Sequence, residues 1–164
     1  MRVHVLEREQ VVPREPGEVW EFFSDAHNLE EITPPYLRFE VLTPRPIAMG
    51  EGALIEYRLR LHGFPLSWLT RIDEWEPPDR FVDRQLRGPF QLWHHTHTFA
   101  PHPDGTLVRD RVRYRIGLGL LGALARPLVR RDLEGILSFR HDAVARRLRS
   151  QPAAAGVRSR RVAD

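Results

Sequence analysis

Cysteine and lysine are both absent from this chain of 164 residues. The first absence excludes disulfides, zinc-thiolate sites and thiol nucleophiles. The second makes all 25 basic residues arginine, which holds its proton to very high pH and so biases the pI upward, to about 10.1. Long apolar runs are also missing. The most apolar stretch, Ile116 to Leu124 (IGLGLLGAL), is glycine-rich, stops at Arg126 and Pro127, and falls far short of the roughly 20 residues that cross a bilayer. The first residues, MRVHVLEREQ, interrupt their valines and leucine with charges, unlike a signal peptide, so no export is expected and a cytoplasmic location is. No glycine-rich phosphate loop, Gly-x-Ser-x-Gly elbow or dinucleotide fingerprint occurs, so nucleotide chemistry is not expected and no cofactor is assigned.

What is present fits one globular domain. Hydrophobic residues make up 41% and charged residues 29%, far from the composition of a disordered chain, and the length suits a single core. The net charge of +3 is unevenly spread: from Arg126 onward 10 arginines face 4 acids (+6), leaving 15 arginines against 18 acids (−3) before it. That basic end is suited to weak contact with an anionic surface. Its arginines are not interleaved with exposed aromatics, so no nucleic-acid partner is expected.

Residues 2 to 12 alternate as a strand, with Val3 and Val5 on one side and His4 and Leu6 on the other. Pro13 ends it. Pro16 suits a first helical turn, and GEVWEFFSD places Val19, Trp20, Phe22 and Phe23 in a short helix; Trp20 and Phe23 read as core. A second short helix, Asn28 to Ile32, ends before Pro34-Pro35. Strands are predicted at Arg38 to Thr43, Ala53 to Leu61, Trp68 to Trp75, Arg80 to Leu86, Gln91 to Phe99 and Thr106 to Ile116, separated by turn residues. Such short connections imply a consecutive antiparallel meander. A long helix, Leu128 to Leu148, carries Val129, Leu133, Ile136, Leu137, Val144 and Leu148 on one stripe. Residues 150 to 164 lack apolar periodicity and read as a flexible basic tail beyond a 1–149 domain.

The predicted architecture is α+β: a curved antiparallel sheet of about seven strands wrapped around a long C-terminal helix, with two short helices after strand 1. The strings PGEVWEFFSDAHNLEEITPP, DRFVDRQLRGPFQLWHHTHTF and GTLVRDRVRYRIGLGLLGALA, with FRHDAV in the long helix, resemble the SRPBCC superfamily, the START, birch-pollen-allergen and polyketide cyclase/dehydrase type of helix-grip fold, in its bacterial ligand-binding subgroup. The resemblance spans roughly residues 1 to 149 and implies a hydrophobic ligand cavity between sheet and helix, with no unique catalytic signature.

One stretch invites chemistry. LWHHTHTF puts His94, His95 and His97 within four positions. Strand alternation places Trp93, His95, His97 and Phe99 on one face, marked inward by its aromatics, and sends His94 outward with Leu92, Thr96 and Thr98. On the next strand Arg109, Arg111, Arg113 and Arg115 mark the outside, so Val108, Asp110, Val112, Tyr114 and Ile116 point in. Joined by a hairpin turn at 100 to 105, the two strands admit registers that set Asp110 opposite His97 or His95. Arg140 lies on the helix stripe that faces the sheet, where it and a histidine are placed to satisfy Asp110. Asp83 shares a face with Phe81 and Gln85, as a second buried acid or an edge residue.

Three readings stay open for this group. His95 and His97 with Asp110 suit zinc, although the spacing is common and no second ligand cluster supports it, so no metal is assigned. Alternatively His95 or His97, oriented by Asp110, is the catalytic base of a cyclase/dehydratase-like enzyme. In the third reading they form a polar patch in a cavity wall that orients a ligand. The expected activity is binding of a small hydrophobic molecule of lipid, isoprenoid or polyketide-like type by Tyr57, Trp68, Phe81, Trp93, His95, His97, Asp110, Tyr114, Ile136 and Arg140, with the helix and the loop around Gly63 to Trp68 guarding the entrance. An interaction module acting through the basic helix and tail is a further alternative, and the oligomer expected is a monomer or homodimer.

Overall fold

Alternation of apolar and charged residues marks the buried side of most strands, and the computed structural model, which describes residues 2–117 and 119–150, contains seven strands. They are β1 (His4–Val12), β2 (Glu40–Val41), β3 (Leu54–Leu61), β4 (Phe64–Glu76), β5 (Arg80–Arg87), β6 (Phe90–His102) and β7 (Gly105–Ile116). All pair antiparallel in one sheet of order β1-β7-β6-β5-β4-β3-β2. The meander expected from short turns runs from β2 to β7. β1 joins it at β7, from His4 opposite Tyr114 to Val12 opposite Thr106. Irregularities in pairing at Leu69/Thr70, Ile72/Glu74 and Phe90/Leu92 add twist and curl the sheet.

Two turns are tighter than the sequence implied. His62 and Gly63 both adopt positive φ (51° and 83°), the two-residue turn that matches strand twist, so Leu61 pairs directly with Phe64. The segment expected as a guard loop, Gly63 to Trp68, is therefore largely strand. His102 likewise pairs with Gly105, leaving Pro103 and Asp104 as the turn in place of 100 to 105. Gly105 is required there: at φ 129° a Cβ would lie 2.1 Å from the Val12 carbonyl oxygen, where β1 ends against the hairpin.

Helix α1 (Pro16–Ser24) opens on proline, with the Glu15 N–H donating to the Glu18 carboxylate at 3.3 Å. Its Trp20 meets Trp75, Phe81 and Phe99 edge-on, with centroids 4.8–5.8 Å apart. Helix α2 (Asn28–Glu31) and a single 3₁₀ turn (Pro35–Leu37) follow; Arg38 takes a left-handed conformation after that turn, which reduces the expected strand at 38–43 to Glu40–Val41. Helix α3 (Gly119–Ser150) starts earlier than expected because Pro127 lies inside it. A proline there removes one backbone hydrogen bond without ending the helix.

The α3 stripe packs on the concave face of the sheet. Leu133 and Leu137 meet Leu6, Val112 and Tyr114, while Ala143, Val144 and Leu148 join the larger cluster around Val12, Trp20, Phe81 and Phe99. The end of α3 is tied to the sheet side by Arg14, whose Nε donates to the Leu148 carbonyl at 2.7 Å, a cation at a helix C-terminus. Among the described residues no helix is long and apolar enough to cross a membrane.

Candidate functional site

Adjacent central strands converge on the histidines of β6. Register sets His97 opposite Asp110 on β7 and Phe81 on β5, and His95 opposite Val112 and Asp83. Because directly opposed residues share a face, both histidines and both aspartates point inward. His95 and His97 are buried, and their rings lie 3.8 Å apart. Phe81 stacks on His97 at 4.2 Å.

Each carboxylate reaches both rings. Asp110 Oδ1 stands 3.1 Å from His95 Nε2 and 2.8 Å from His97 Nδ1, the latter an ion pair off the line of a hydrogen bond. Asp83 Oδ2 stands 3.1 Å from His97 Nε2 and 3.6 Å from His95 Nδ1, the last beyond hydrogen-bond distance. His97 is thus flanked by carboxylates at both nitrogens. Burial alone would lower its pKa, yet Asp110 and Asp83 together raise it, which favours the protonated ring. His95 moves the other way: burial and the charged His97 beside it lower its pKa, and the aspartates only partly offset them. For Asp83 and Asp110 burial favours the acid form, but the histidines outweigh it and hold both carboxyls below their usual range. Burial, reinforced by the Asp83 charge, pushes the Tyr57 hydroxyl up and keeps it neutral.

A cavity of about 160 Å³ opens beside this cluster, between sheet, α2 and α3. Tyr57, Trp68, Phe81 and Trp93 form its aromatic wall; His95 and His97 line one end, with Ile136 and Arg140 above them. Two expected ligand contacts lie elsewhere. Asp110 sits behind the histidines and outside the lining. Tyr114 packs with Leu6, Val112, Leu133 and Leu137, 5.4 Å from His4, because β1 pairs with β7 and sets His4 opposite it. Asp83, ambiguous in the sequence, is a lining residue. So is Thr33, which no local pattern marks.

Two lining atoms stand out. Thr33 Oγ1 and Arg140 Nε are buried and have no hydrogen-bond partner, and Arg140 forms no ion pair among the described residues. Asp83 feels the Arg140 charge only through space. The ion pair expected between Arg140 and Asp110 is not formed: Asp110 is occupied by the histidines.

The model of a family described as "Polyketide cyclase / dehydrase and lipid transport" matches residues 12–139. The chain belongs to that family. Its fold is shared by several solved structures. The Zhui aromatase/cyclase from Streptomyces sp. R1128 superposes with a TM-score of 0.75 at 20% identity, over 94% of this chain and 99% of its own. A protein from Thermus thermophilus gives 0.67 at 23% identity, over 91% and 98%. The di-domain aromatase/cyclase StfQ of the steffimycin biosynthetic pathway gives 0.68 at 15% identity, over 88% of this chain and 50% of its own. No curated protein sequence matches.

For this member of the polyketide cyclase/dehydrase and lipid transport family, the basic C-terminus is partly neutralised. Arg147 pairs with Glu31 at 2.8 Å and Arg130 with Glu134 at 2.8 Å. The rest of the expected tail, residues 151–164, lies outside the described residues.

Proposed function

We propose that the protein binds a small molecule with a ring-sized apolar body and one anionic or hydrogen-bond-accepting group, the body held by the aromatic wall and the polar group by Arg140. The supporting observation is the unpartnered Arg140 Nε. A charged side chain's N–H shut away from water without an acceptor is costly, and an acceptor on the ligand relieves that cost. Size supports a compact ligand: an apolar cavity of about 150 Å³ takes up benzene, and this one is about 160 Å³. A single ring or a short isoprenoid unit fits better than an extended polyketide chain.

Ligand-observed NMR with benzoate and toluene, matched in shape and differing in charge, tests this. Wild type is expected to prefer benzoate. Arg140→Leu is expected to lose about 10–100-fold in benzoate affinity, the worth of about 1.5–3 kcal/mol for a hydrogen bond to a charged group, with toluene binding unchanged or improved. Equal loss of both probes would overturn the assignment of Arg140.

An enzymatic reading of cyclase/dehydratase type is favoured by one feature. Asp110 holds His95 through Nε2, and His95 Nδ1 makes no hydrogen bond at the cavity wall. That is the arrangement of an oriented general base. His95→Ala, His97→Ala and Asp110→Asn are expected to reduce dehydration of a β-hydroxyketone, followed by enone absorbance, by about 10²–10⁴-fold, with benzoate affinity held within a few fold. Unchanged turnover in all three would sink the reading.

A further inference from the structure

Asp83, His95 and His97 each offer one ligand atom, and these atoms lie within 4.8 Å of one another. His97 Nε2 is 3.1 Å and His95 Nδ1 is 3.6 Å from the same oxygen, Asp83 Oδ2. Donors bound at about 2.0–2.1 Å around a tetrahedral ion stand about 3.3–3.4 Å apart. The two spacings bracket that distance.

The far side of the rings carries the second observation. His95 Nε2 and His97 Nδ1, the nitrogens turned away from Asp83, both face Asp110 Oδ1, at 3.1 and 2.8 Å. A carboxylate on the distal nitrogen of a metal-bound histidine fixes the ring and keeps the proton off the metal-facing nitrogen. The cavity supplies the third. Asp83, His95 and His97 line it and Asp110 does not, so the three ligand residues border open space while the backing carboxylate lies outside the lining.

We propose that Asp83 Oδ2, His95 Nδ1 and His97 Nε2 bind one divalent first-row transition-metal ion at the cavity wall, with Asp110 as the carboxylate that orients both imidazoles. Asp83, on β5, takes the place that strand alternation alone would give to Asp110, because Asp110 is engaged on the opposite edge of both rings. Two imidazoles and one carboxylate suit zinc, iron or manganese and leave coordination positions open toward the cavity. Asp83 and Asp110 offset the two charges of the ion, and with Arg140 on the same cavity lining the loaded site carries a net positive charge that suits an anionic ligand group. Metal binding does not depend on the ligand reading, because it involves neither Arg140 nor the aromatic wall.

The test uses the full chain without a polyhistidine tag, stripped with chelator and titrated with Co²⁺. Expected are one ion per chain, visible ligand-field absorption of a low-coordinate nitrogen and oxygen site, and stoichiometric displacement by Zn²⁺. Asp83→Asn is expected to abolish stoichiometric binding. Asp110→Asn leaves all three ligands in place and is expected to weaken binding about 10–100-fold. Absence of stoichiometric Co²⁺, Zn²⁺ and Mn²⁺ binding to the wild-type chain overturns the proposal whatever the variants do, and so does wild-type affinity in a folded Asp83→Asn chain. Benzoate binding to the stripped protein, run in parallel, reports on the ligand reading alone.

Discussion

Asp110→Ala is expected to lower the free energy of unfolding of the metal-free protein by about 3–5 kcal/mol, the cost of removing one partner from a buried ion pair. His97 is 4% exposed, and against the cost of burial two carboxylates favour its protonated form. Without Asp110 only Asp83 remains, and His95 also loses the acceptor at its Nε2. Water has little access to replace either interaction, since His95 is 2% exposed. Asp110→Asn keeps an acceptor oxygen for His95 and loses the charge, so its loss should be smaller. The pair of substitutions Asp110→Leu and His97→Leu removes charge and counter-charge together and is expected to recover much of the loss, because apolar replacement of a complete buried pair is often neutral. Chemical denaturation measures all of these, with an unchanged m-value securing the comparison. An Asp110→Ala chain within about 1 kcal/mol of wild type would show that the cluster is not held by buried charge.

Phe99→Ala is expected to cost a similar amount, about 3–5 kcal/mol, by a different route. Phe99 is 2% exposed, and its ring centroid lies 5.1 Å from Phe23, 5.8 Å from Trp20 and 6.0 Å from Phe81. These neighbours come from α1 and β5, so the void left by truncation is bounded by separate elements that collapse only in part. Phe23 and Phe81 also line the cavity. The variant should therefore accept a larger apolar probe: naphthalene affinity is expected to rise relative to toluene even as the midpoint of unfolding falls. Phe99→Leu, which fills most of the space, is expected to lose much less stability. If Phe99→Ala unfolds like wild type, α1 does not depend on the aromatic cluster for its docking.

The opposed fates of two inward-facing residues show where local pattern stops being informative. Asp110 and Tyr114 lie on the same face of β7. Alternation identifies that face, and the outward arginines Arg109 and Arg111 do pair outside, with Glu9 at 2.6 Å and Glu7 at 3.0 Å. It does not say that β1 will pair with β7, or that Tyr114 will consequently pack against Leu6 and Leu133, away from the cavity. Arg140 divides in the same way. Helical spacing puts it on the stripe facing the sheet, whereas the lack of a partner for its Nε depends on Asp110 being taken by two histidines on another strand.

By itself, the sequence determined the helix-grip architecture, the meander from β2 to β7 and the inward set His95, His97 and Asp110. These rest on periods of two and 3.6 residues and on turn chemistry, which act over a few neighbouring positions. Tertiary structure decided the rest: the register that puts His97 against Asp110, the approach of Asp83 to both rings, and the cavity wall in which Arg140 Nε has no hydrogen-bond partner. Those are distances between strands and between sheet and helix. They depend on pairing register, bulges and sheet curvature summed over the whole fold, which no short stretch of residues encodes.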